Sequence, residues 1–220
     1  QDYRGSFEVI VVDDASGAGT GEIARSLGAR VIRTSGPPPG WAGKVAAMVA
    51  GVAAAEAADY LLFTDADIGY PADGLAALVD AARSHDLDLV SQMVRLRTVG
   101  FWERIVVPAF VYFFAQLYPF SLVNRQSSRV AAAAGGCMLV KAETLNRAGG
   151  LAKIADALID DVSLGRLIKD STGGRRIWLG LFGYRERARI SAVGRLLAHG
   201  VAQRIHATVL FAGIAHRYGC

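Results

Sequence analysis

Short apolar runs of strand character alternate with helical patterns through the first 93 residues, and no other feature constrains the fold as strongly. Residues 7–12, 31–33, 60–64 and 87–93 read as strands rich in β-branched and aromatic side chains. Residues 20–27, 41–56 and 71–84 read as helices, the first capped by Thr20 with Glu22 in its first turn and the third opened by Pro71. Residues 35–40, with three prolines in a row, form a loop. A strand that returns to its sheet through a helix pairs in parallel, so the expected class is α/β, with a doubly wound, mostly parallel sheet. Such sheets bind ligands beyond the carboxyl ends of their strands. Asp13-Asp14 and Asp65-Ala66-Asp67 fall at those ends. The 220 residues, 52% hydrophobic, supply the core for one large domain or two small ones.

Beyond Gly100 the pattern changes. Residues 105–123 carry no charge, long enough to raise a transmembrane reading. Pro108 and Pro119 argue against a span, because the residues between them would make a helix of about 15 Å against a hydrocarbon core of about 30 Å. An interfacial or re-entrant helix pair and a packed core element both remain open. Phe101, Trp102, Phe110, Tyr112, Phe113, Phe114, Tyr118 and Phe120 favour an interface. Residues 131–140 read as a strand containing Gly135-Gly136, 154–169 as a helix containing Asp160-Asp161, and 176–179 as a last short strand.

Two cysteines, Cys137 and Cys220, give neither a disulfide framework nor a zinc spacing, and suit a reducing compartment with Cys137 structural. His85, His199, His206 and His216 form no metal set. The net charge of +4 is uneven: residues 171–220 hold eight arginines against the single acid Glu186. Interleaved with apolar residues, that basic stretch at 182–220 reads as an amphipathic tail facing an anionic membrane surface rather than nucleic acid, with an ordinary solvated helix as the plainer alternative. No secretory signal is visible, and the abrupt start on a buried strand suggests a fragment.

The residues that carry chemistry are mostly acids. Asp65 and Asp67 are hard oxygen donors suited to Mg²⁺ or Mn²⁺, which would bridge a diphosphate and stabilise the departing nucleotide. Asp13 and Asp14 are either ligands of a nucleoside or turn acids. Gly40-Trp41-Ala42-Gly43-Lys44 leads a Gly/Pro loop into a helix start, where backbone N–H groups and the Lys44 charge suit a phosphate, though the spacing is not that of a Walker A loop. Asp160-Asp161 could supply a general base.

In this order the motifs resemble the inverting family 2 glycosyltransferases with a GT-A fold. The resemblance runs through Val11-Val12-Asp13-Asp14-Ala15-Ser16 with Gly19-Thr20, then Gly43-Lys44, Asp65-Ala66-Asp67, Gly135-Gly136-Cys137-Met138 and Asp160-Asp161. Gly40-Trp41-Ala42-Gly43-Lys44, Pro108-Ala109-Phe110-Val111, Leu117-Tyr118-Pro119-Phe120, the Ala131–Cys137 stretch and Ile159-Asp160-Asp161 look closest to the hopene-associated glycosyltransferases of bacterial hopanoid clusters.

The resemblance covers about residues 1–181. It implies a donor site of Asp13, Asp14, Lys44, Asp65, Asp67, Gly135 and Gly136, a divalent metal on Asp65 and Asp67, and Asp161 as base with Asp160 beside it. It further implies a nucleotide-diphosphate sugar donor, UDP-linked by preference, a lipid (hopanoid) hydroxyl as acceptor, and a place on the cytoplasmic face of a bacterial inner membrane. Three departures qualify it. The family's first βα unit does not precede Gln1, the Gln-x-x-Arg-Trp motif of processive relatives is missing, and the sequence after Phe182 follows no pattern expected of the family. A catalytically incomplete remnant that binds nucleotide sugar is one alternative. A receiver-like signalling domain, with Asp65 as phosphoacceptor, is another, but it lacks the required lysine after the next strand.

Overall fold

The computed structural model describes residues 1–14, 19–55, 58–66, 68–96, 98, 100–171, 176–181 and 207–215. The first half follows the expected alternation: β1 (Ser6–Asp14), α1 (Thr20–Ser26), β2 (Arg30–Thr34), α2 (Gly43–Ala54), β3 (Tyr60–Asp65), α3 (Gly74–Ser84) and β4 (Leu89–Met93). Then come α4 (Phe101–Leu117), α5 (Phe120–Val123), β5 (Met138–Lys141), α6 (Ala142–Arg147), a 3₁₀ turn (Leu151–Ile154), α7 (Asp160–Ser171), β6 (Ile177–Leu181) and β7 (Ala207–Ala215).

These strands form one sheet in the order β2-β1-β7-β3-β5-β4-β6. β1 pairs parallel with β2 and β4 with β6, while β5 and β7 run antiparallel to their neighbours. Five strands therefore point one way and two against them, a mixed but mostly parallel sheet.

Alternating side chains cover both faces. Ile10, Val12, Leu61, Phe63, Met138, Val140, Ile177 and Leu179 meet α2, α6 and α7 on one side. Leu62, Val90 and Leu139 meet Leu75, Leu78, Val79 and Ala82 of α3 on the other, and Val11 meets Ala24 of α1. Each fully buried Leu, Ile or Phe contributes about 1.5–3 kcal/mol relative to exposure, and this two-sided burial fixes the strand ends that carry the acids.

Several elements differ from the sequence expectation, each for a local reason. Thr20 is the first helical residue of α1, not its cap; Gly19 takes the cap position with φ 71°, and no side chain caps the helix. The expected strand at 131–140 shortens to β5. Before it, Ala131–Ala134 run buried but irregular, the Ala134 carbonyl accepting the Cys137 N–H (3.0 Å) and the Ala134 N–H donating to Ser91 Oγ (2.8 Å). Four alanines are small enough for that backbone to pass through the core. The expected helix at 154–169 breaks into the 3₁₀ turn and α7, so Asp160 and Asp161 open α7 rather than lie inside it. Acids at a helix start are favoured by the unpaired N–H groups and the dipole there.

Helix α4 runs unbroken through Pro108, while Pro119 separates it from α5. It buries no residue; Phe101, Trp102, Val106, Phe110, Tyr112 and Phe113 are all more than half exposed. No helix among the described residues is long and apolar enough to cross a membrane. Its C-terminal turn is fastened by Phe114 against Tyr118 and Phe120 (ring centroids 5.2 and 6.5 Å). The chain after α5 is then clamped to the domain. The Asn124 amide pairs with the Leu179 backbone in both directions (3.0 and 2.7 Å). Buried Lys169 of α7 donates to the carbonyls of Val123 (2.5 Å) and Val130 (2.6 Å).

The sequence reading assigned the whole of 182–220 to a basic amphipathic tail. Residues 207–215, an uncharged and largely apolar stretch, instead form β7 between β1 and β3. Residues 182–206 and 216–220, with His199, His206, His216 and Cys220, lie outside the described residues.

Candidate active site

Sheet register sets the first dimension of the site. Asp13 pairs with Ala207 and Asp65 with Thr208, adjacent positions on β7. The ends of β1 and β3 are therefore level, two strand spacings or about 10 Å apart. Asp13 is buried, with its carboxylate against α1 near Gly21. Asp14 Oδ1 accepts a hydrogen bond from Thr34 Oγ1 of β2 (2.7 Å). That partner was not foreseen from sequence, because only the parallel register of β1 with β2 brings residue 34 beside residue 14.

At the β3 end, five of the expected residues converge: Lys44, Asp65, Gly135, Asp160 and Asp161. Lys44, in the first turn of α2, places Nζ 3.0 Å from Asp65 Oδ1 and 3.3 Å from Asp160 Oδ2. The Asp160 oxygen is buried and meets the ammonium as an ion pair without hydrogen-bond alignment. Burial pulls the Lys44 pKa down, but Asp65 and Asp160 more than offset it and hold the pKa above the ordinary lysine value. Lys44 thus stays a cation at neutral pH.

Asp161 accepts the Gly135 N–H on Oδ2 (2.9 Å) and the Val162 N–H on Oδ1 (2.7 Å). Its pKa is raised, first by burial and then by the Asp160 charge; the two N–H groups and Lys44 oppose the rise. A carboxylate so placed holds a proton more tightly than an exposed one, which makes it the stronger base once ionised.

Gly135 is small for a reason. A Cβ there would stand 3.0 Å from Lys44 Nζ and 3.4 Å from Asp161 Oδ2. Gly136 is turned elsewhere: its carbonyl accepts Thr64 Oγ1 (2.9 Å) and Tyr70 Oη (3.0 Å), which ties this loop to the end of β3. The Cys137 thiol is buried, its pKa pushed up to about 11 by burial, as suits a structural residue.

Sequence reasoning also missed Gly165. It lies four residues after Asp161 on α7, and a Cβ there would come within 2.8 Å of the Ala132 carbonyl carbon. The close approach of α7 to this backbone brings Asp161 to Gly135. An isolated helical glycine was the only signal in the sequence. Asp67 lies outside the described residues, and among those described no three His, Cys, Asp or Glu side chains converge as a metal cluster.

The geometry is that of an α/β domain with a cationic and acidic cluster at its strand ends, set beside a buried carboxylate, Asp161, on a helix start. Residues 1–149 match the family described as glycosyl transferase family 2, and the chain belongs to that family. It is accordingly a glycosyltransferase of GT-A fold, taking a nucleotide-sugar donor and an acceptor. This replaces the receiver-like alternative. Asp160, Asp161 and α7 lie beyond the matched residues. No curated protein matches the chain.

Proposed function

We propose that the protein transfers a sugar from a nucleotide diphosphate, by preference UDP, to a lipid hydroxyl with inversion at the anomeric carbon. The observation that carries this is the junction at the β3 end: Lys44 between Asp65 and Asp160, with Asp161 fixed beside them by the Gly135 N–H. Asp161 takes the proton of the acceptor hydroxyl as its oxygen attacks the anomeric carbon from the face opposite the leaving group. The bond from that carbon to the diphosphate oxygen breaks as the new one forms, which inverts the centre. Such general-base assistance is worth about 10²–10⁴-fold.

Lys44 and the Gly43 end of α2 face the diphosphate, and one carboxylate of the Asp13-Asp14 pair, about 10 Å across the sheet, takes the nucleoside; Asp14 is the more accessible of the two. Gly135 keeps room for Lys44 between the two halves.

Asp65 has the chemistry for a divalent cation, with one of its oxygens paired with Lys44 Nζ at 3.0 Å. Asp65 offers hard oxygens and is 44% exposed at the strand end, and Mg²⁺ typically binds through one or two carboxylates plus substrate phosphates rather than in a full protein cage. Asp65 and Asp67 would hold it. Bound there, it would offset charge on the departing diphosphate.

The exposed aromatic face of α4 supports a lipid acceptor and a membrane surface. Residues 94–131 carry Arg95, Arg97, Arg104, Arg125 and Arg129 against one acid, Glu103, so the uncharged stretch 105–123 is flanked by cations suited to anionic lipid. The cytoplasmic face of a bacterial inner membrane, and a hopanoid as the acceptor lipid, accord with the resemblance in the sequence.

Two measurements test the proposal. Proton NMR of the product of an α-linked UDP-sugar should give a β-linked glycoside; retained configuration would refute a single displacement by an Asp161-activated hydroxyl. UDP-sugar titration with and without Mn²⁺ should show metal-dependent tightening that Asp65→Ala/Asp67→Ala abolishes; equal binding in that variant would remove the metal role.

A further inference from the structure

The loop that delivers Asp161 carries two apolar side chains with no role in the core. Leu158 is 96% exposed and Ile159 55% exposed, directly before Asp160-Asp161. A scattered exposed leucine needs no explanation. This pair is different for three reasons.

First, the loop is held firmly. Ala157 packs against the core, its N–H donates to the Ile154 carbonyl (3.0 Å), and the Ala155 carbonyl accepts the Ala42 N–H (2.8 Å) at the entry to α2. Leu158 is thus presented to solvent by an anchored backbone.

Second, Ile159 occupies the cap of α7: its carbonyl accepts the Ser163 N–H (3.1 Å). That position favours Ser, Thr, Asp or Asn, whose side chains satisfy free N–H groups, and disfavours Ile. A local rule broken without gain in packing marks a position kept for another purpose.

Third, the pair adjoins the base. On that reading the acceptor hydroxyl must come to Asp161, two residues after Ile159, which brings the group behind the hydroxyl within reach of this loop.

We propose that Leu158 and Ile159 are specificity-determining residues that receive the apolar chain of the acceptor beside Asp161. The inference rests on the reading of Asp161 as the base for a lipid hydroxyl, and it names the lip that selects an apolar over a polar acceptor. Contact with a few methylene groups discriminates by about tenfold or more.

The test compares the full chain with Leu158→Ser/Ile159→Ser, using a UDP-sugar donor and primary alcohols from butanol to decanol. Donor hydrolysis, with water as acceptor, is followed in parallel. In the unsubstituted protein kcat/KM should rise with alkyl length. In the variant that rise should flatten and decanol transfer should fall about tenfold through KM, with hydrolysis unchanged. Thermal melting is the fold control: serine is the better cap, so the variant should melt no lower than the unsubstituted protein.

An unchanged dependence on alkyl length in the variant would overturn the proposal. So would hydrolysis without transfer to any alcohol, an outcome that leaves the donor reading intact. If the unsubstituted chain neither hydrolyses nor transfers, the enzymatic reading of this chain fails separately. Decanol titration followed by amide NMR of residues 158–162 then decides: shifts lost in the variant uphold the apolar lip, and no shifts overturn it.

Discussion

Gly165→Ala isolates the contact that places Asp161, the proposed base. The new methyl carbon would stand 2.8 Å from the Ala132 carbonyl carbon, 3.1 Å from its oxygen and 3.1 Å from the Ala133 nitrogen. All three are backbone atoms, so no side chain can swing aside. Ordinary contact begins near 3.4 Å, and α7 must withdraw by about 0.6 Å. Asp161 is on the same face of α7 one turn earlier, and its bond to the Gly135 N–H would stretch from 2.9 Å toward the limit of a hydrogen bond.

Overpacking of this kind costs about 1–3 kcal/mol, of which the helix preference of alanine over glycine returns about 1 kcal/mol. The net loss of stability should be about 0–2 kcal/mol. Activity should suffer more, because a displacement near 1 Å at a reacting group costs about 10²-fold. Denaturant melts and steady-state transfer kinetics read the two effects separately, with kcat expected to fall 10- to 100-fold by the same argument. A variant with unchanged kcat would refute the claim that the α7–Ala132 contact positions Asp161.

Further outcomes follow from the same geometry. Gly135→Ala presses on the mobile end of Lys44 and should leave stability within about 1 kcal/mol while weakening UDP-sugar binding, measurable by calorimetry. The acid limb of the rate profile should lie above the ordinary aspartate range, because the proposed base Asp161 must be deprotonated to act and its pKa is raised. The sign for stability follows by linkage: the folded state holds this proton more tightly than the unfolded chain, so the contribution of Asp161 falls as pH rises from the unfolded to the folded pKa. Phe110→Ser/Phe113→Ser should leave the melting point nearly unchanged, since both rings are exposed, and weaken flotation with anionic vesicles about tenfold.

The sequence made the strand ends legible because period-two apolar runs and their terminal acids are local features. Asp13, Asp14 and Asp65 could therefore be placed without a structure. Lys44 was readable as a helix-start cation, but its pairing with both Asp65 and Asp160 depends on α2 and α7 meeting over one face of the sheet. Long-range register was not readable. The Thr34–Asp14 bond, the Gly165 approach and the central place of residues 207–215 all join segments far apart in the chain.

The alanine run at 131–134 misled by composition, since small residues suit a buried irregular backbone as well as a strand. Pro108 misled by its usual role: on the mostly exposed α4 the helix continues through it despite the missing N–H.

Asp161→Asn tests the central claim most directly. Asparagine keeps the size of the side chain and an acceptor oxygen but cannot take a proton. UDP-sugar binding should stay within about twofold, while kcat for transfer should fall by the 10²–10⁴-fold expected of a lost general base. Transfer at the unsubstituted rate with donor binding intact would contradict the assignment of Asp161 and, with it, the account of the site.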